Sequence, residues 1–162
     1  CIINYINDDF LLHDFDGKYD FIIGNPPFFK MKKTDLLLKK YLMTATNKQT
    51  TNICSFFLDK AVLLADYVAI VFPKFILNTP EFAASRTYLA GKRVECIIDF
   101  GEKGFPGVLI ETIALFINTQ AKPSKTKVVS ITHNFSVLLA GVPCIPARPK
   151  RQKDNQVSFF QS

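Results

Sequence analysis

Tyr19-Asp20-Phe21-Ile22-Ile23-Gly24-Asn25-Pro26-Pro27-Phe28 is the stretch that decides how this chain is read. A compact apolar strand ends at Gly24, and the two prolines behind it, which lack a backbone N–H, stop any continuation. Upstream, residues 2–6 form a short apolar segment that runs into Asp8-Asp9. Downstream, residues 30–51 are polar and lysine-rich, with a short helix predicted over 35–42 and Thr34 as its cap. Residues 52–65 read as a helix, since Ile53, Phe56, Phe57, Ala61 and Leu64 recur at helical spacing. The nearly continuous apolar run 67–72, closed by Pro73, predicts a strand covered on both faces, as in a parallel sheet. A second helix is predicted over 81–89, capped by Thr79 with Pro80 at its first position and ended by Gly91. Residues 94–100 and 112–117 follow as closely spaced, hence antiparallel, strands around a glycine-bearing loop at 101–107, and 128–132 adds one more. The alternation β-α-β-α-β-β argues an α/β layered domain.

At 162 residues the chain is long enough for one ordinary domain, and 48% hydrophobic with 21% charged residues argues against wholesale disorder. The net charge of +6 and pI of 9.2 favour an anionic partner such as nucleic acid. The four cysteines (Cys1, Cys54, Cys96, Cys144) form no CxxC pair, and His13 and His133 are isolated, so reduced thiols and no metal site are expected. No apolar run approaches the ~20 residues needed to span a bilayer, and no membrane association is expected. Prolines and the basic run Arg148, Lys150, Arg151, Lys153 mark residues beyond 141 as a linker or arm.

The turn after the first strand has a specific chemical reading. The lone pair of adenine N6 is delocalised into the ring, so this nitrogen is a poor nucleophile. Two acceptors on its N–H bonds would draw it toward tetrahedral geometry. Asn25 can supply one through its side-chain oxygen, and the carbonyl of Pro26, in a segment whose φ angles are fixed by proline, the other. An aromatic at the fourth position, Phe28, can stack on the base and hold it in line with a methyl donor. A sulfonium donor is already activated, so no general base or covalent nucleophile is required. The plainer reading is a strand-ending turn, since Asn and Pro both favour turns. With proline at ~5% of residues, such a tetrapeptide arises by chance in roughly one chain of this length in a thousand.

Taken with its flanking blocks, the chain resembles the gamma-type amino-methyltransferases of restriction-modification systems, including the methylase parts of type I and type IIG enzymes. The similarity runs over residues 7–119. It comprises Asp8-Asp9-Phe10-Leu11-Leu12, the strand and turn above, Asn52-Ile53-Cys54-Ser55-Phe56-Phe57-Leu58-Asp59-Lys60-Ala61, Val68-Ala69-Ile70-Val71-Phe72-Pro73, and Phe100-Gly101-Glu102-Lys103-Gly104-Phe105-Pro106. The resemblance implies an adenine-N6 DNA methyltransferase that uses S-adenosylmethionine in a prokaryotic cytoplasm. It implies double-stranded DNA with a flipped adenine as substrate, and a restriction or specificity subunit or domain as a partner. On it, Asp9 accepts from the adenine amino group of the cofactor, Phe10 offers its backbone amide to the same ring, and Phe57 packs on that ring. Phe105 stacks on the flipped target base. Without the resemblance, Asp9 reads as a turn residue and Phe57 as core. Lys30, Lys32 and Lys33, with Lys39, Lys40 and Lys48, are either phosphate-facing or a solvated loop.

The family's glycine-rich cofactor loop and the acidic residue that holds the cofactor ribose belong on two earlier strands, and neither motif occurs here. The implied fold is a partial class I S-adenosylmethionine-dependent methyltransferase (Rossmann-like) fold. Its strands are in order 4-5-7-6 with flanking helices, strands 1 and 2 are absent, and the N-terminal segment is displaced. Residues 1–120 would form the C-terminal part of the catalytic domain, and 121–162 an additional strand and a basic, proline-containing linker toward a target-recognition domain. Such a piece is expected to bind S-adenosylmethionine weakly or not at all and to transfer no methyl group by itself. Two other functions stay open: methylation of a protein glutamine or an RNA base, which also uses Asn-Pro-Pro-aromatic turns, and a non-catalytic DNA-binding remnant.

Overall fold

The computed structural model describes residues 4–101 and 110–131; Phe105 and the basic run after residue 147 lie outside them. Five strands form one mixed sheet in the order β1-β2-β4-β3-β5. They are β1 (Tyr19–Gly24), β2 (Ala65–Pro73), β3 (Arg93–Gly101), β4 (Thr112–Asn118) and β5 (Lys127–Ser130). Three α-helices accompany them: α1 (Leu36–Thr44), α2 (Ile53–Leu64) and α3 (Ala83–Ala90). The first four strands reproduce the 4-5-7-6 order implied by the resemblance, and β5 adds a parallel partner to β3. β1 and β2 run parallel because a helical crossover joins them, whereas the stretch between β3 and β4 is too short for one. β4 is therefore antiparallel to both of its neighbours, β2 and β3.

The core lies on one face of the sheet. Val68, Ile70 and Phe72 alternate along β2 and pair in register with Ile117, Leu115 and Ile113 of β4, all buried. Cys54, Leu58, Ala61 and Val62 of α2 pack on them, joined by Ile22, Ile76, Phe82 and Leu89. The other face is covered less than the apolar run in β2 predicts: Tyr67, Ala69 and Val71 are half-buried, and Ile23 of β1 is 67% exposed. An apolar run does not say which of its two faces receives a helix; here Cys54, Leu58, Ala61 and Val62 of α2 and Leu89 of α3 join one cluster, while Ile53 and Phe56 of α2 pack in a second with Leu38, Tyr41 and Ala45.

Local chemistry departs from expectation at two helix starts. α1 is capped by Asp35, whose carboxylate accepts from the Leu37 amide at 2.8 Å, and not by Thr34. Thr79 caps nothing with its side chain; its hydroxyl donates to the Phe75 carbonyl at 2.8 Å, and a 3₁₀ turn, Pro80–Phe82, precedes α3. Asn52 does cap α2, accepting from the Cys54 amide at 3.3 Å. Residues 4–7 form no strand.

Candidate active site

The parallel pair β1–β2 ends where Gly24 lies beside Ile70. The crevice beyond the carboxyl ends of parallel strands is where open α/β sheets hold their ligands. Here it is a cleft of about 590 Å³, lined on one side by residues 5–10 and on the others by 22–27, Phe29, Tyr41, Ile53, Phe57, Ala61 and Ile70. Asp9, Phe10, Asn25, Pro26, Pro27 and Phe57, far apart in sequence, thus share one cavity. Asn25 is exposed at the turn, and its side chain makes no hydrogen bond among the described residues, which leaves its oxygen available as an acceptor. Pro26 beside it is buried.

Phe28 sits elsewhere. It is half-buried against the main core cluster, and the adjacent Phe29, 52% exposed, is the ring on the cleft wall. The cause is the extended pairing that follows the turn. The Ile53 amide donates to the Phe29 carbonyl at 3.0 Å, and the Met31 amide to the Thr51 carbonyl at 2.9 Å. Successive side chains of an extended segment point to opposite sides, so Phe28 and Phe29 cannot both face the cleft. Lys30 forms an ion pair with Glu81 at 2.7 Å, while Lys32 and Lys33 are exposed.

The loop bearing Asp9 is clamped onto α2. The Leu12 and His13 amides donate to the Asp9 carbonyl at 3.1 and 2.8 Å. The Asp9 carboxylate accepts from the Leu11 amide and from the Tyr41 hydroxyl, each at 2.8 Å. Lys60 of α2 donates to the Leu11 and His13 carbonyls at 3.0 and 2.6 Å, with its ammonium 5.1 Å from the centre of the Phe15 ring. Burial pushes the Lys60 pKa down, although Asp9, Asp14 and Asp8 oppose it. His13 hydrogen-bonds Asp8 at 2.8 Å, which holds the Asp8 carboxyl below its ordinary range. Phe10 lies against Phe57 with rings 5.2 Å apart and 8° from parallel, and Phe57 stays half-buried at the cleft.

Tyr41, Lys60 and Phe29 were not singled out from the sequence. Leu38 and Tyr41 at helical spacing were a legible signal within the short helix predicted over 35–42, and Lys60 is the lone basic residue in an apolar helix. Among the described residues no group of His, Cys, Asp or Glu is placed to hold a metal ion, and no helix is long and apolar enough to cross a membrane.

The sheet order and the cleft at the ends of its parallel strands define a domain of the class I S-adenosylmethionine-dependent methyltransferase fold. Residues 3–105 match the Eco57I restriction-modification methylase family, and the chain belongs to that family. It is 27% identical over 191 residues to the type II methyltransferase M.AccI of Acinetobacter calcoaceticus, covering 97% of this chain and 35% of that protein. The chain thus spans about a third of the length of the relative that it matches. A structure described as a class I S-adenosylmethionine-dependent methyltransferase from Listeria monocytogenes superposes with a TM-score of 0.62 at 14% identity, covering 80% of this chain and 42% of that one. The modification subunit of a type I restriction enzyme from Vibrio vulnificus does so with a TM-score of 0.60 at 21% identity, covering 73% and 26%. At these identities the two structures speak to the fold alone.

Proposed function

We propose that this chain forms the base-side half of an adenine-N6 DNA methyltransferase active site, with S-adenosylmethionine as methyl donor. The observation that carries the reading is the convergence of an uncommitted Asn25 oxygen with Asp9 and Phe57 in one cleft at the end of β1. The residues fit an adenosine group. Asp9 offers lone pairs beyond the two that are in use, and Phe57 offers a half-buried ring to stack on.

When bound, S-adenosylmethionine supplies an electrophilic methyl group on a sulfonium. The chain's own residues bind and orient the base. Asn25 and the Pro26 carbonyl accept from the two amino hydrogens of a flipped adenine, so that the nitrogen's lone pair is released toward the methyl group. Of the two adjacent rings, Phe28 holds the motif position and Phe29 the cleft wall; Phe28→Ala compared with Phe29→Ala in the transfer assay assigns the stacking role. Phe105 is proposed as a second stacking ring. Lys32 and Lys33, with Lys30 beside its Glu81 partner, are proposed to face DNA phosphates. A specificity or restriction subunit or domain is the proposed partner.

The test is methyl transfer from labelled S-adenosylmethionine to duplex DNA, to an RNA and to a release-factor protein, with the methylated DNA base identified by mass spectrometry. N6-methyladenine in DNA is the expected product. In an active preparation Asn25→Ala is expected to abolish transfer and leave donor affinity unchanged. Methylation of RNA or protein in its place, or full activity of Asn25→Ala, would overturn the reading.

A further inference from the structure

Asp9 is held by contacts of different kinds. The Leu11 amide that it accepts from belongs to its own turn and fixes one carboxylate oxygen. A carboxylate held at a single oxygen can still rotate about the bond to its methylene group. The second oxygen receives the hydroxyl of Tyr41, from a helix 32 residues away in sequence. Tyr41 is itself immobilised: 6% exposed, packed with Leu38, Ala45 and Ile53, its ring 5.7 Å from that of Phe56. Burial first, and then the Asp9 bond, push its pKa up to about 12, so the phenol keeps its proton at neutral pH. An ionised carboxylate only accepts, so the polarity of this bond is fixed. Each Asp9 oxygen retains a lone pair, in the same cleft that Tyr41 and Phe57 line.

We infer that Tyr41 is a positioning residue: it locks the plane of the Asp9 carboxylate so that its remaining lone pairs meet an amino group, and thereby makes the cleft select 6-amino over 6-oxo purines. The inference rests on the reading of Asp9 and Phe57 as contacts to the donor's adenine. Selection follows from donor and acceptor matching. Adenine presents N–H donors at position 6, whereas hypoxanthine presents a carbonyl oxygen that a fixed carboxylate repels. A carboxylate free to rotate would turn away and discriminate less.

Adenosine and inosine are the probes, titrated against the 162-residue chain by ligand-observed NMR, with thermal unfolding of each variant as a fold control. The wild-type chain is expected to prefer adenosine. Tyr41→Phe keeps the ring and its packing, and is expected to weaken adenosine by about five- to tenfold while strengthening inosine, because the freed carboxylate turns away from its carbonyl oxygen. In an Asp9→Asn background, Tyr41→Phe is expected to have no further effect on the adenosine-to-inosine ratio. Equal weakening of both nucleosides by Tyr41→Phe, or no weakening, overturns the inference; if Asp9→Asn still collapses the preference, the reading of Asp9 stands. No preference for adenosine in the wild-type chain, or an undiminished one in Asp9→Asn, overturns the reading of Asp9 and the inference with it.

Discussion

Asp59 carries a carboxylate into the body of α2 at 3% exposure. Its Oδ2 accepts from the Thr46 amide at 2.7 Å, while Oδ1 has no partner among the described residues. Burial pushes its pKa above the ordinary 3.8, against the lowering effect of bonds from Thr46 and Asn47. An acid whose folded pKa is raised binds its proton more tightly when folded. Folding therefore gains as pH falls through that raised value, and the penalty is carried at neutral pH. Asp59→Asn is expected to raise stability at pH 7 by about 1 kcal/mol and to flatten the fall in stability that sets in as pH rises above the ordinary 3.8, followed by urea unfolding. A variant that keeps the wild-type pH profile would show that the penalty lies elsewhere. Glu81 works in the opposite sense. Burial pushes its pKa up, but hydrogen bonds from Lys30 and Thr50 outweigh this, and the net pKa lies below the ordinary 4.5. Its contribution is present above that ordinary value and is lost as pH falls through the lowered one. Lys30→Ala is therefore expected to bring acid unfolding, followed by circular dichroism, to a higher pH.

Between elements, the polar stretch before α2 is tied down by Asn47, which is fully buried. Its amide donates to the Glu81 carbonyl at 2.8 Å and to the Ser85 hydroxyl at 2.9 Å, and its oxygen accepts from the Gln49 amide at 3.0 Å. Asn47→Ala is expected to cost about 2–3 kcal/mol in urea unfolding, because the groups left behind are buried without partners. None of this was legible in the sequence, where residues 30–51 read as a polar, lysine-rich stretch around one short helix. Polar residues that bond across distant elements leave no periodic trace. α2 was legible because Phe56, Phe57, Ala61 and Leu64 repeat at helical spacing. The cap of α1 was misjudged by one residue, since Thr34 and Asp35 are both good caps and only the backbone shows which oxygen reaches Leu37. At the cleft, Asn25 was legible from its motif, whereas Asp9 was singled out only through the resemblance, since by itself it reads as a turn residue. The division between Phe28 and Phe29 was not, because it depends on the pairing of 29–31 with 51–53.

At the scale of the molecule, the sheet is covered mainly on one side and open at the β1 edge among the described residues. β1 pairs only with β2 among the described residues, and Ile23 is 67% exposed on it. An unpaired strand edge carrying an exposed branched apolar side chain is a site of self-association. Sedimentation velocity is expected to show concentration-dependent association that Ile23→Lys removes; an unaltered profile for Ile23→Lys would place the contact elsewhere. The order of the strands followed from the resemblance and from loop length, whereas the one-sided covering had no signature in an apolar run. The backbone contacts of Met31 and Phe29 with Thr51 and Ile53 close the intervening segment at its base, like the neck of a purse. Each doubling of a closed loop's length costs only ~0.6 kcal/mol of closure entropy. The outer turns of that segment, where Leu36, Leu37 and Met43 are exposed, can lengthen or change composition without shifting Asn25. If that segment faces DNA as proposed, its outer surface can evolve separately from the cleft, on condition that Tyr41 still reaches Asp9.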